Sequence, residues 1–184
     1  FEKIAPVDNH LAYDSLRKKY DVILCGHSRI GYSIAGSVRK MKKSLLVVDY
    51  NPDTVKALIK EKVACMYGDV GDEEILSRLP FRGVKMVVST IQNTSINKRL
   101  IEKAKSAAKK AMVYVTASDV EEALDLYDSG ADYVVLPHFL GGDHVSLMIE
   151  EYSPTLNKLL GRKLKHIDEL KQRRVLGHEH PQHH

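Results

Sequence analysis

This sequence predicts a doubly wound α/β domain: a Rossmann-like, six-stranded, mainly parallel sheet with helices on both faces and a helical extension at the C-terminus. Three observations predict it. Short β-branched runs recur at regular spacing with amphipathic stretches between them. These runs are near-continuously apolar rather than alternating, as strands buried on both faces must be. The first run ends in a glycine turn, DVILCGHSRIG from Asp21 to Gly31, which leads into a helix-compatible segment.

The elements follow in order. DVILC (21–25) is the first strand, and a helix runs from about Arg29 to Met41. SLLVVD (44–49) is the second strand, followed by a helix opening at Pro52, a residue suited to a first helical position. VACMY (63–67) precedes an acid-capped helix from Asp72 to Leu79. VKMVVST (84–90) is the fourth strand, and a lysine-rich helix spans about Thr94 to Lys109. MVYVT (112–116) leads to a helix announced by Ser118, Asp119, Glu121 and Glu122. DYVVLP (132–137) closes the series.

After Pro137 the pattern changes. HFLGGDHVSLMIEEY reads as a loop and then a helix, and Pro154 interrupts it. Leu156, Leu159, Leu160, Leu164, Ile167 and Leu170 form a helical apolar stripe. The resulting division is a linker over 1–20, an α/β lobe over 21–140, and a helix over 141–153. An amphipathic extension (154–176) and a histidine-rich tail (177–184) complete it, the tail having no periodicity to support structure.

Composition narrows the function classes. The chain has 184 residues, 43% hydrophobic and 28% charged, as in an ordinary soluble domain. Lys and Arg number 28 against 24 Asp and Glu, a net +4 without the dense basic block of a nucleic-acid binder. Cys25 and Cys65 each sit in an apolar run and read as buried, reduced thiols of a cytoplasmic protein. No apolar run approaches the length of a membrane span.

In a doubly wound sheet a ligand lies beyond the carboxyl ends of the strands where the strand order reverses. Gly26 to Gly31, Asp49, Gly68-Asp69 and Ser89-Thr90 should therefore surround one crevice. Gly26 suits a tight turn, and Gly31 allows the helix start to pack against the strand. The amides of residues 28–31 should face phosphate oxygens at the positive end of the helix. Ser28 stands where a dinucleotide fingerprint carries glycine, which weakens the case for a full dinucleotide more than for a mononucleotide. Asp49 should accept hydrogen bonds from ribose hydroxyls and disfavour a 2′-phosphate; its alternative is a cap on the next helix. Arg29 suits a phosphate partner or a solvated first turn. His27 and Tyr50 flank the crevice, and Asp69 or its neighbouring backbone suits an adenine edge. The basic residues Lys98, Arg99, Lys103, Lys105, Lys109 and Lys110 read as a solvated helix face. No residue set suggests a catalytic or metal centre.

These motifs in order, CGHSRIG, VVDYNPD, YGDVGDEEIL, VVSTI, VTASDVEEALDLYDSGADYVVLP and HFLGGDHVS, resemble those of the RCK-type (KTN, TrkA-N) nucleotide-binding lobe of potassium channels and transporters. The STI and PHFLGGDHV versions look most like the cytoplasmic domain of Kef-type cation:proton antiporters. The resemblance spans residues 21 to about 152. It implies a regulatory module at the cytoplasmic face of the cell membrane, binding AMP, ADP, ATP or NAD(H). It also implies a homodimer paired through Asp143 to Tyr152, and a transporter or channel domain N-terminal to this lobe. Carried onto this chain, it places Gly26, His27, Ser28, Arg29, Ile30 and Gly31 at phosphate and Asp49 at ribose. Asp69 and Val70 fall at adenine, and Thr90 and Ile91 beside the sugar-phosphate. The competing reading is an NAD-dependent Rossmann oxidoreductase, which lacks a substrate domain after the sixth strand.

Overall fold

The computed structural model describes residues 18–150, together with helical residues Lys165, Ile167, Asp168, Leu170, Lys171, Gln172 and Val175. Two compact units make up the chain, Phe1–Leu140 and Gly141–His184. In the first, strands β1 (Val22–Cys25), β2 (Leu45–Asp49), β3 (Cys65–Tyr67), β4 (Met86–Ser89), β5 (Met112–Thr116) and β6 (Tyr133–Val135) form one sheet ordered β3-β2-β1-β4-β5-β6. All five pairings are parallel. The expected strands are all present, each within two residues of its expected bounds, the trimmed residues lying where chain entering or leaving the sheet is not paired.

Helices α1 (Arg29–Lys40) and α2 (Pro52–Lys60) cover one face, where Ala35, Val38, Val55 and Leu58 pack on Val22, Leu24, Leu45 and Val47. Helices α3 (Glu73–Arg78), α4 (Thr94–Ala107) and α5 (Val120–Asp128) cover the other, where Leu76, Leu100, Ile101, Ala104 and Leu126 pack on Ile23, Leu46, Val87 and Val113. Alternate residues of each strand feed the two cores, which is why the runs show no polar positions. Side chains at the centre, such as Ile23, Leu46 and Val113, are wholly buried.

Two expectations need correction. Residues 138–150 form no loop: α6 begins at Pro137 itself and runs to Glu150. Proline suits a first helical turn, and Gly141-Gly142 is carried within the helix. The basic side of α4 is also not simply solvated. Lys98 pairs with Asp125 of α5 at 2.7 Å, Lys103 with Glu73 of α3 at 2.7 Å, and Lys105 with Asp132 at 2.6 Å. Arg99 donates to the Gly71 carbonyl at 2.6 Å. These cations tie α4 to its neighbours; of the series, Lys109 and Lys110 are the exposed ones with no ion pair among the described residues. The linker up to Arg17, Leu156, Leu159, Leu160, Leu164 and the tail lie outside the described residues.

Candidate functional site

The strand order reverses between β1 and β4, so the turns leaving them open a crevice at the carboxyl end of the sheet. Gly26 leaves β1 with φ +87°, a left-handed conformation that side chains rarely adopt, and its amide donates to the Val48 carbonyl at 2.8 Å. Thr90, leaving β4, donates its hydroxyl to the Gly26 carbonyl at 3.1 Å. A Cβ on Gly26 would collide with that hydroxyl, and one on Gly31 would collide with the Gly26 carbonyl. Both glycines are required by close approach, as the sequence reading expected for a turn and a helix packed tightly on a strand.

Ser28 stands at the capping position of helix α1, but its side chain makes no capping hydrogen bond, and the first turn holds no acidic residue. By contrast α2, α3, α4 and α5 are capped by Asn51, Asp72, Asn93 and Asp119, each accepting from a first-turn amide. The amides of Ser28, Arg29, Ile30 and Gly31 donate to no protein acceptor among the described residues. Four orphan donors and the positive end of the helix dipole thus meet at one point. Arg29, in the same turn, has no ion-pair partner among the described residues.

Asp49, at the end of β2, is 8% exposed. Its Oδ2 accepts from the His27 amide at 2.7 Å and its Oδ1 from the Asn51 amide at 2.8 Å. Asp49 therefore does not cap α2; Asn51 does, and Asp49 clamps the turn after β1 to the turn after β2. Each carboxylate oxygen retains acceptor capacity, so the geometry suits a pair of vicinal hydroxyls. His27 packs edge-on against Tyr32, ring centroids 5.9 Å apart, and Tyr50 is exposed.

Asp69 accepts from the Gly71 amide at 2.7 Å in an Asx turn, while Asp72 caps α3. Val70 is 2% exposed within the core, so of this residue only the backbone remains for a ligand. Ile91 also packs against that core, and its carbonyl accepts from Asn97 Nδ2 at 2.8 Å.

Two residues escaped the sequence reading. Asn97 is fully buried and donates to both the Ile91 and Thr116 carbonyls, pinning the turn after β4 to the end of β5. Its signal was a lone polar residue on the apolar stripe with Leu100, Ile101 and Ala104. Tyr67 lies opposite Asp49 in the β2–β3 register and is half exposed; an aromatic ending a strand beside the crevice was its signal. Cys25 is fully buried, and burial pushes its thiol up to about 12, so it offers no nucleophile. No group of three or more His, Cys, Asp or Glu suited to a metal occurs among the described residues.

Comparison with known proteins places this geometry. Potassium channel protein 1 of Methanocaldococcus jannaschii is 23% identical over 144 residues, covering 73% of this chain and 43% of that protein. The chain thus spans less than half of that relative's length. The structure of the Shewanella denitrificans Kef CTD in AMP-bound form superposes with a TM-score of 0.58 at 16% identity, over 84% of this chain and 96% of that one. The GsuK channel bound to NAD superposes at 0.56 with 17% identity, over 66% of this chain and 22% of the other. At such identities these two structures establish the shared fold. The family model of the TrkA-N domain matches residues 22–137, every strand and the turns around the crevice included, and the chain belongs to the TrkA-N domain family.

Proposed function

We propose that this domain is a regulatory module that binds an adenine nucleotide (AMP, ADP or ATP) or NAD(H) and thereby biases a monovalent-cation transporter or channel. The observation that carries this reading is the uncapped start of α1, with its four orphan amides, beside the Asp49 carboxylate. In this reading the amides of residues 28–31 and Arg29 take phosphate, Asp49 takes the ribose, and Thr90 holds the loop that receives them. Asp69, the Val70 backbone, Tyr50 and Ile91 line the adenosine side. The solved Kef domain with AMP and the GsuK channel with NAD support the ligand class. Similarity to a potassium channel protein supports a membrane partner and a place at the cytoplasmic face of the membrane.

In this reading the module acts by binding without turnover, as the regulatory RCK domain of the GsuK channel among its structural neighbours suggests. It pairs as a homodimer through α6, whose Phe139, Leu140, Val145 and Ile149 are 42–67% exposed, an apolar surface suited to a second copy. Occupancy changes transport through a difference in affinity between two arrangements of the pair. Calorimetric titration with AMP, ADP, ATP, NAD and NADH tests the ligand class. Heat from at least one is expected; silence from all five would end this reading.

A further inference from the structure

The fold gathers charge that the sequence spreads. In a parallel sheet every helix-to-strand connection arrives at the amino ends of the strands, opposite the crevice. Here those connections are basic. Lys40, Lys42 and Lys43 precede β2, and Lys60 and Lys62 precede β3. Lysine pairs at 18–19 and 109–110 precede β1 and β5, with Arg82 and Lys85 before β4, and all of these side chains are exposed.

Hydrogen bonds draw these connections into one surface. The Asp21 amide donates to the Ser44 carbonyl at 3.1 Å, the Lys85 amide to the Asp21 carbonyl at 2.9 Å, and the Met112 amide to the Lys85 carbonyl at 2.9 Å. Five adjacent strands make the surface about 20 Å wide at the usual strand spacing. Ion pairing uses little of it: among the described residues Arg39 meets Glu61 and Lys85 meets Asp21. Acids toward this end, Asp128 and Asp132, lie beside the edge strand β6.

Helix dipoles explain part of the pattern. Arg39, Lys40 and Lys60 occupy last helical turns, where cations are favoured. The lysines beyond the helix ends have no such reason. Lys42 and Lys62 hold φ of 54° and 58°, the left-handed conformation that glycine takes at least cost, so a cation stands at each of two places that favour glycine.

We propose that this basic pole is a docking surface for an anionic lipid bilayer. The chain enters the sheet here, through Lys18 to Tyr20, so a membrane segment joined ahead of the linker would tether this pole, rather than the crevice, on the membrane side. Met41 stands 59% exposed between Lys40 and Lys42, an apolar side chain among cations as interfacial contacts require. The occupant rests on the membrane partner proposed above; the charge pattern does not.

The test is sedimentation of the protein with vesicles of equimolar phosphatidylcholine and phosphatidylglycerol, against phosphatidylcholine alone, at low and high salt. Binding to the anionic vesicles alone, released by salt, is expected. The triple variant K40Q/K43Q/K62Q should lose on the order of a hundredfold in affinity, from about fivefold per charge. The triple variant K56Q/K98Q/K103Q, removing the same charge elsewhere, should lose far less, with melting curves confirming that both fold. Equal losses, equal binding to neutral vesicles, or tighter binding to duplex DNA would overturn the proposal. Nucleotide calorimetry is independent of this readout: a chain that binds AMP and no vesicles refutes the bilayer surface and leaves the crevice standing.

Discussion

At the scale of the residue, Asp49 joins structure to recognition. Its carboxylate is held by the His27 and Asn51 amides and nearly buried, so in the proposed reading it would meet a ribose in fixed orientation and largely desolvated. Asp49→Ala should weaken nucleotide binding by about 1–3 kcal/mol, the scale for hydrogen bonds to a charged group, read by calorimetry. Gly31→Ala should be as damaging by a different route, since the added methyl must displace the Gly26 carbonyl and with it the loop; overpacking of this kind costs about 1–3 kcal/mol, read in thermal unfolding. Cys25 should resist thiol reagents in the native protein and react at the rate of unfolding, because burial both shields it and suppresses its thiolate. Gly26, Gly31 and Asp49 were legible because a strand, a turn and a following acid announce themselves over short spacings. Asn97 was not, since the carbonyls it joins come from Ile91 and from Thr116 on a different strand, and only the fold brings them together.

At the scale of the element, the starts of β1, β2 and β4 are pinned by the Asp21 carboxylate. Asp21 accepts from the Ser44 amide and hydroxyl at 3.0 and 2.8 Å and pairs with Lys85 at 2.7 Å. Lys85, then the Ser44 groups, hold its carboxyl well below the usual carboxylate range. A carboxylate depressed in the folded state contributes stability above its unfolded pKa and loses it as pH falls toward the folded value. Acid should therefore loosen the joint between the starts of β1, β2 and β4. Asp21→Asn should flatten the acid limb of stability, measured by denaturant unfolding between neutral pH and pH near 2. A mutant with an unchanged acid limb would remove Asp21 from that role. The α4 cations show why helix faces are harder to read than strands: charge runs look alike in sequence whether they meet water or, like Lys103 and Glu73, a neighbouring helix.

At the scale of the molecule, the six apolar runs carried the fold class because a sheet buried on both faces leaves no polar position to confuse the pattern. Strand order is a different matter: nothing in the runs themselves says that β4 returns to β1, and only the sheet shows that pairing. Pairing through α6 gives a further expectation. Val145→Glu with Ile149→Glu should convert a dimer to a monomer in light scattering while leaving nucleotide affinity unchanged; a wild-type monomer at micromolar concentration would sink the pairing.

The return of β4 to β1 also bears on how the chain folds. Val22 pairs with Leu45 in one direction and with Met86 in the other, so the second seam closes only after two strands and three helices have been laid down between. Such a distant pairing is slow to form, because its loop-closure entropy is met before any contact rewards it. The crevice lies on that seam. A nucleotide would then find its site only in a chain whose last long-range step is complete, and would act as a latch on it, slowing unfolding while leaving the early steps of folding untouched.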